Sequence, residues 1–230
     1  MPARIRRVRK RNALFYDETM IPEIPERHDP GHNSNCPPAT LRGKDHETPT
    51  SAHFPPSLPM QQSRAISEPA GNEGALCLGI ISDTHGQFSS RIATAFAGVD
   101  LIIHAGDVGS PSILMRLENI TPNVIAVRGN SDYDIGLKLV EKTFVANLTI
   151  LVAHTPTHLR RALAEERQTN TGPLLAVHGH THIPAFEQPG EDVTLVCPGS
   201  ATWPRAAGGP TVMILQLANG AILSHHLTQV

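Results

Sequence analysis

Cysteine is scarce: Cys36, Cys77 and Cys197 are the only three in 230 residues, widely separated and without Cys-x-x-Cys spacing. That argues against a disulfide framework or a thiolate zinc knuckle and for a reducing compartment, so a cytoplasmic location is expected. No apolar run approaches the roughly 18 residues needed to cross a bilayer, and no membrane association is expected. Residues Asn12 to Glu26 offer no apolar stretch behind the basic start, as a secretory signal would require. Net charge is only −2 with histidine neutral, and the chain after residue 74 has no basic patch interleaved with aromatics, Trp203 being the sole tryptophan. Nucleic acid is therefore disfavoured as a partner. The basic run Arg4 to Arg11 reads as a solvated tail rather than a nucleic-acid contact or targeting leader. Internal repeats are absent.

What the chain has is histidine, 13 in all, nine of them after residue 80. It also divides in two. Residues 1–74 hold about half of the 20 prolines, in strings such as Asn35-Cys36-Pro37-Pro38 and Phe54-Pro55-Pro56-Ser57. Proline at that density blocks helix interiors and central strands, and the apolar surface is too small to offset chain entropy. This segment is expected to be a disordered extension. Residues 75–230 are expected to form one folded domain.

In that second part, strands and helices alternate. Strands are predicted over Ala75 to Ser82, Asp100 to His104, Asn123 to Val127 and Leu174 to His178, and helices over Ser89 to Gly98, from Ser110 with Pro111 at its first position, and over Leu159 to Gln168. Leu137 to Asn147 and Leu148 to Ala153 read as a hairpin with Asn147 near its turn. Thr194 to Val196, Thr211 to Leu217 and Ala221 to Leu227 read as closing strands, the last two joined by Asn219-Gly220, a strong hairpin signal. Alternation first and antiparallel strands later argue for an α/β or α+β sandwich.

Six short segments follow the apolar runs: Asp83-Thr84-His85, Gly106-Asp107, Gly129-Asn130-Ser131-Asp132, His154, Gly179-His180-Thr181-His182 and Pro198-Gly199-Ser200. Loops at strand ends are where an α/β fold keeps its chemistry. Asp, Asn and His supply oxygen and nitrogen ligands suited to manganese, iron, zinc or nickel. Asp83 and His85, two apart, would point the same way in extended chain and reach one ion. Asp107 follows a glycine that allows a tight turn, and its two oxygens can bridge two metals. Asn130 offers a neutral carbonyl, His154 an imidazole, and His180 and His182 can address two neighbouring ions. Singly, Asp83 and Asp107 could be helix caps, Asn130 a turn residue and His154 a core histidine. In this order and together, the seven point to a two-metal hydrolase site.

The combination Asp83-x-His85, Gly106-Asp107, Gly129-Asn130-x-Asp132, His154 and Gly179-His180-x-His182 resembles the calcineurin-like metallophosphoesterases. Its details (Ile81-Ser82-Asp83-Thr84-His85-Gly86, His104-Ala105-Gly106-Asp107-Val108, Val127-Arg128-Gly129-Asn130 and Pro198-Gly199-Ser200) look like the small YfcE-type phosphodiesterase branch. The resemblance covers residues from about 77 to 227. It implies a four-layer α-β-β-α sandwich of two mixed sheets. It also implies two divalent metals, manganese expected first: one held by Asp83, His85, Asp107 and His182, the other by Asp107, Asn130, His154 and His180. A hydroxide bridging the metals would attack phosphorus, with Asp107, Asn130 and His154 as the residues that carry catalysis.

The implied substrate is a small phosphate ester, most of all a phosphodiester. The alternative is a catalytically weak or silent scaffold, since a retromer subunit resembling this branch serves as one; the intact ligand set favours the enzyme. A homo-oligomer is left open. Three departures stand out. Ser131 takes the place of a histidine that protonates the leaving group in many relatives, and its pKa is far too high for that work. Thr155-Pro156 follows His154 where glycine is usual. Cys197 replaces an asparagine, which weakens an expected hydrogen bond behind the ligands. Thr84 and Gly86 read as tight-turn residues, His104 and His178 as supporting or core histidines, and His158 as a loop residue able to face substrate.

Overall fold

The run Leu-Cys-Leu-Gly-Ile-Ile has no polar alternation, and it forms a strand covered on both faces: β1 (Leu76–Ile81) is buried along nearly its whole length. The computed structural model describes residues 75–230; the extension read over 1–74 lies outside them. β1 pairs in parallel with β2 (Leu101–His104), which pairs in parallel with β3 (Val124–Ala126). On its other side β1 runs antiparallel to β9 (Thr211–Ala218), and β10 (Ala221–Gln229) closes that sheet in the order β10-β9-β1-β2-β3. A second sheet has the order β4-β5-β6-β8-β7, from β4 (Val140–Val145), β5 (Leu148–Ala153), β6 (Leu174–Val177), β7 (Pro184–Gly190) and β8 (Val193–Pro198). Each sheet mixes parallel and antiparallel pairs.

The two sheets face each other across one apolar layer. Leu78, Ile80, Leu101 and Ile103 of the first meet Ile150, Val152, Leu175 and Val177 of the second. Alternate residues of the first sheet, such as Ile81 and Ile102, pack outward on Ile92 of α1 (Ser90–Ala95) and on Ile113 and Leu117 of α2 (Pro111–Glu118). On the second sheet, Leu151, Ala153 and Ala176 pack outward on Leu159 of α3 (Pro156–Glu166). The order is helix, sheet, sheet, helix, the expected four-layer sandwich. Among the described residues no helix is long and apolar enough to cross a membrane.

Local signals account for most boundaries. Ser89 and Ser110 cap α1 and α2, each accepting a hydrogen bond from the main-chain N–H two residues on, and Pro111 opens α2. Ala146 and Asn147 both take positive φ (48° and 61°), the two-residue turn that joins β4 to β5. The structure corrects the reading in three places. α3 begins at Pro156, not Leu159, because Thr155 caps it and proline at the first helical position suits a helix start. β4 begins at Val140 rather than Leu137. β7, with Pro184 and Pro189 and mostly exposed side chains, carries no strand pattern in sequence; it lies at a sheet edge, where proline's missing N–H faces no neighbour.

Within each sheet the parallel strands end on the same side. β1, β2 and β3 deliver Asp83, Asp107 and Asn130 beyond one sheet's carboxyl edge. β5, β6 and β8 deliver His154, then His180 and His182, then Ser200 beyond the other's.

Candidate metal centre

The seven candidate ligands converge, though by a different local geometry from the one expected for Asp83 and His85. Neither is extended. Asp83, His85, Asp107, His180 and His182 all have positive φ, between 46° and 67°, and they are five of the eight non-glycine residues with positive φ among the described residues. The left-handed region is sterically costly for a residue with a Cβ, and such residues cluster at sites where surrounding bonds enforce them. Here those bonds are main-chain ones between motif loops: Asp83 N–H to Gly106 O (3.0 Å), His85 N–H to Asp107 O (2.9 Å) and Gly86 N–H to Val108 O (2.8 Å). A left-handed turn, not strand alternation, brings Asp83 and His85 to one point.

Distances define two adjoining clusters. His182 Nε2 lies 3.0 Å from Asp83 Oδ1, and His85 Nε2 is 4.0 Å from that oxygen and 3.9 Å from Asp107 Oδ2. His154 Nε2 is 3.5 Å from the same Asp107 Oδ2. The His154 and His180 rings sit edge to face at 5.2 Å, and the Asn130 amide approaches His180 Nδ1 at 3.3 Å. Asp107 Oδ2 thus stands between His85 and His154, while its Oδ1 accepts the Ser131 N–H (2.9 Å).

Hydrogen bonds behind the rings set which nitrogen is free. His154 Nδ1–H donates to Ala105 O (2.8 Å) and His182 Nδ1–H to Trp203 O (2.6 Å). A carbonyl can only accept, so each neutral ring presents an Nε2 lone pair inward. Asp83 Oδ1, His85 Nε2 and His154 Nε2 are buried with no hydrogen-bond partner among the described residues. Buried polar atoms left unpaired are unfavourable by about 1–3 kcal/mol each. Divalent cations would satisfy all of them, and groups of Asp83, His85 and His182 and of Asp83, Asp107 and His154 have ligand atoms within 4.8 Å of one another. The donor set fits a hard-to-borderline divalent ion.

The electrostatics agree. Burial opposes ionisation of Asp107, but the neighbouring His154 and the hydrogen bond from Ser131 N–H outweigh it and hold the carboxyl well below its ordinary range. Asp83 is likewise lowered, burial being overcome by His182 and Ser82. Asp83 raises the pKa of His182, and Asp107 raises that of His154 against the effect of burial. Burial and the neighbouring His154 lower His180. Both carboxylates are thus negative in the folded protein, and their field favours a cation at the site.

Two glycines are required by close approach rather than by φ. A Cβ on Gly129 would collide with the main-chain nitrogen and Oδ1 of Asp107, and one on Gly179 with Ser82 Oγ and, at 2.8 Å, Asp83 Oδ2. The motif glycines let ligand loops from both sheets touch.

Three features support the ligands from behind; Asp132 and Ser200 stand in the motif segments and His104 reads as a supporting or core histidine, but the partners of all three were not legible in the sequence. Asp132 is buried, and both of its oxygens accept main-chain N–H groups: Val108 (3.0 Å), Gly109 (2.8 Å) and Gly129 (2.9 Å). It ties the Asp107 loop to the Asn130 loop. Thr84 donates to Val108 O (3.0 Å), so the 2.9 Å contact with His104 Nε2 must be a bond from the imidazole. The Ser200 hydroxyl donates to Asp83 O (2.9 Å) and accepts the Trp203 N–H (2.9 Å), and the Trp203 ring stacks on His85 at 4.4 Å. The position of Trp203 just past Pro198-Gly199-Ser200 was its only signal. Cys197 is buried, with Thr181 Oγ1 at 3.4 Å and Gly179 O at 3.9 Å from its sulfur, and burial pushes the thiol up to about 11. Asp83 and Asp107 cap no helix. His158, read as a loop residue, lies instead in the first turn of α3, exposed, its Nδ1 2.8 Å from the Thr155 hydroxyl.

The family model described as the calcineurin-like phosphoesterase superfamily domain matches residues 76–220. A probable metallophosphoesterase of Methanothermobacter thermautotrophicus is 34% identical over 151 residues, covering 62% of this chain and 86% of the relative. A phosphodiesterase of Methanocaldococcus jannaschii is 29% identical over 153 residues, covering 60% and 91%. Among solved structures, the phosphoesterase Yfce of E. coli superposes with a TM-score of 0.50 at 22% identity, over 66% of this chain and 98% of that one, a likeness of fold.

Proposed function

This chain belongs to the calcineurin-like phosphoesterase superfamily, and from that premise we propose that it is a phosphodiesterase dependent on two divalent metal ions. The observation that carries the reading is the set of buried, unpaired polar atoms, Asp83 Oδ1, His85 Nε2 and His154 Nε2, facing one another at the carboxyl edges of both sheets. Asp83, His85, Asp107 and His182 would hold one ion; Asp107, Asn130, His154 and His180 would hold the other. Manganese is the first candidate, with iron, zinc or nickel suited to the same donors. When bound, such ions withdraw electron density from phosphoryl oxygens and lower the pKa of water, so that hydroxide is available as nucleophile near neutral pH.

The chain's own residues do the rest. Asp107 offers one oxygen to both clusters while Ser131 N–H holds the other, fixing the carboxylate's plane. Ala105 O and Trp203 O orient the His154 and His182 rings, so little reorganisation is left for the moment of reaction. Ser131, exposed beside Asn130, has no proton to give at neutral pH, and the ester oxygen leaves as an anion. Small phosphate esters with acidic leaving groups are the expected substrates.

The test is metal reconstitution followed by a rate screen over aryl phosphodiesters, aryl monoesters and cyclic nucleotides. The native protein should bind close to two ions and hydrolyse diesters fastest. Asp107→Asn should lose at least one ion and about 100-fold or more in rate, the scale of removing one preorganised charge-stabilising group. A protein that binds no metal, with no chelator-sensitive hydrolysis, would refute the proposal.

A further inference from the structure

Trp203 is the chain's only tryptophan, and its side chain lies at the mouth of the metal centre. One face of the indole stacks on the His85 imidazole, centroids 4.4 Å apart and planes 19° from parallel, yet the residue remains 54% exposed. Its main chain is held at both ends: the N–H donates to Ser200 Oγ (2.9 Å), and the carbonyl accepts from His182 Nδ1 (2.6 Å). Thr202, just before it, donates its hydroxyl to Asp83 O (2.9 Å), and Arg205, just after it, bonds its N–H to His182 O (3.1 Å). The indole is therefore carried on a main chain bonded to loops that hold four of the proposed ligands, Asp83, His85, His180 and His182, and it remains largely open to solvent. The exposed Arg205 stands close enough for its charge to act on His180 and His182. A ring already locked by packing loses little freedom when a second ring stacks on it, and an aromatic face accepts any flat π-system.

We propose that Trp203 determines specificity, stacking on an aromatic group, a nucleobase or a simple aryl ring, esterified to the phosphate at the metal centre. The inference rests on the phosphoesterase reading and narrows its substrate class. Trp203 takes no part in bond making: it raises the occupancy of aromatic esters and leaves the chemical step to the residues already described.

The experiment uses the full chain loaded with manganese and measures equilibrium binding of 5′-AMP, phenyl phosphate and methyl phosphate by calorimetry. Quenching of the single tryptophan provides a second readout. The native protein should bind at least one aromatic phosphate about 10-fold more tightly than methyl phosphate, within the range of one base stacked on an aromatic side chain. Which of the two binds tighter identifies nucleobase or simple aryl. Trp203→Ala should erase that preference, read as the ratio of aromatic to methyl phosphate affinity in the metal-loaded protein, and Trp203→Phe should keep most of it. Equal affinities for all three ligands in the native protein would overturn the proposal, even if Trp203→Ala fails to fold. So would a Trp203→Ala protein weakened equally toward all three, which would make Trp203 a support for His85 and His182 or a contact for another protein. Binding is read without turnover, so a protein that prefers aromatic phosphates but hydrolyses none defeats the enzyme reading and not this one.

Discussion

Ser131 and His104 show how single side chains constrain the chemistry and the stability. Ser131 N–H is bonded to Asp107, while its side chain is exposed with no imidazole in its place. Rates should therefore fall steeply as the leaving group becomes less acidic, nitrophenyl diesters reacting far faster than alkyl ones. Ser131→His should flatten the series by contributing a general acid, an effect of about 100-fold on the poorest leaving groups. A flat series in the native enzyme, with chemistry rate-limiting, would contradict this. Asp132 is then a poor substitute acid, because both of its oxygens accept main-chain N–H groups. His104 is fully buried, and that burial pushes its imidazole down from the ordinary 6.5 to about 4. The unfolded chain takes up this proton at the higher value and the folded protein only at the lower one. Its contribution to stability is thus present above about pH 6.5 and lost as pH falls toward 4. In metal-free protein, His104→Gln should flatten the acid limb of unfolding free energy against pH over that window. The raised His154 and His182 act with opposite sign in both proteins and cancel in the comparison. Urea unfolding at a series of pH values checks it, and parallel curves would count against the assignment.

At the scale of elements, the site is a meeting of loops, and its tolerances belong to the loops. The turn after β6 passes so close to the end of β1 that a Cβ on Gly179 would strike Ser82 Oγ and Asp83 Oδ2. Gly179→Ala should displace Asp83, reduce bound metal and destabilise the fold by about 1–3 kcal/mol, the usual scale of overpacking. Gly190→Ala, at the end of β7 with nothing near its Cβ position, should leave metal content and melting temperature nearly unchanged. Equal behaviour of the two variants would mean that the loops yield freely. The elements themselves were well marked in sequence. Ser89, Ser110-Pro111, Ala146-Asn147 and Asn219-Gly220 are local capping and turn signals, and each acts where it stands. β7 was not marked, because an edge strand needs one hydrogen-bonding partner and no buried face.

For the whole molecule, the family match and the sandwich occupy residues 76–220 and 76–229 respectively. From their proline-rich, apolar-poor composition we propose that residues 1–74 are dispensable to the folded domain. A chain beginning at residue 75 should therefore fold, bind metal and turn over substrate within about twofold of the full chain, as judged by melting temperature, metal content and kcat/KM. Insolubility or loss of most activity on truncation would reverse that view.

The sequence by itself determined most of the strands, the first two helices with their caps, and the residue types that meet at the candidate site. Each is announced by residues near one another in the chain: an apolar run, then glycine with Asp, Asn or His at a strand end. Tertiary structure decided what lies between those segments. Only the pairing of parallel strands puts the Asp132 carboxylate against the Asp107 loop and the His104 ring against Thr84, and only the packing of one sheet on the other puts the Trp203 ring on His85. The left-handed backbone of Asp83 and His85 is likewise a tertiary result. Local sterics disfavour that conformation, and hydrogen bonds to a loop more than 20 residues away hold it. A chain can signal a ligand by its type and neighbours, but the orientation of that ligand depends on groups that reach it only after the sheets have formed.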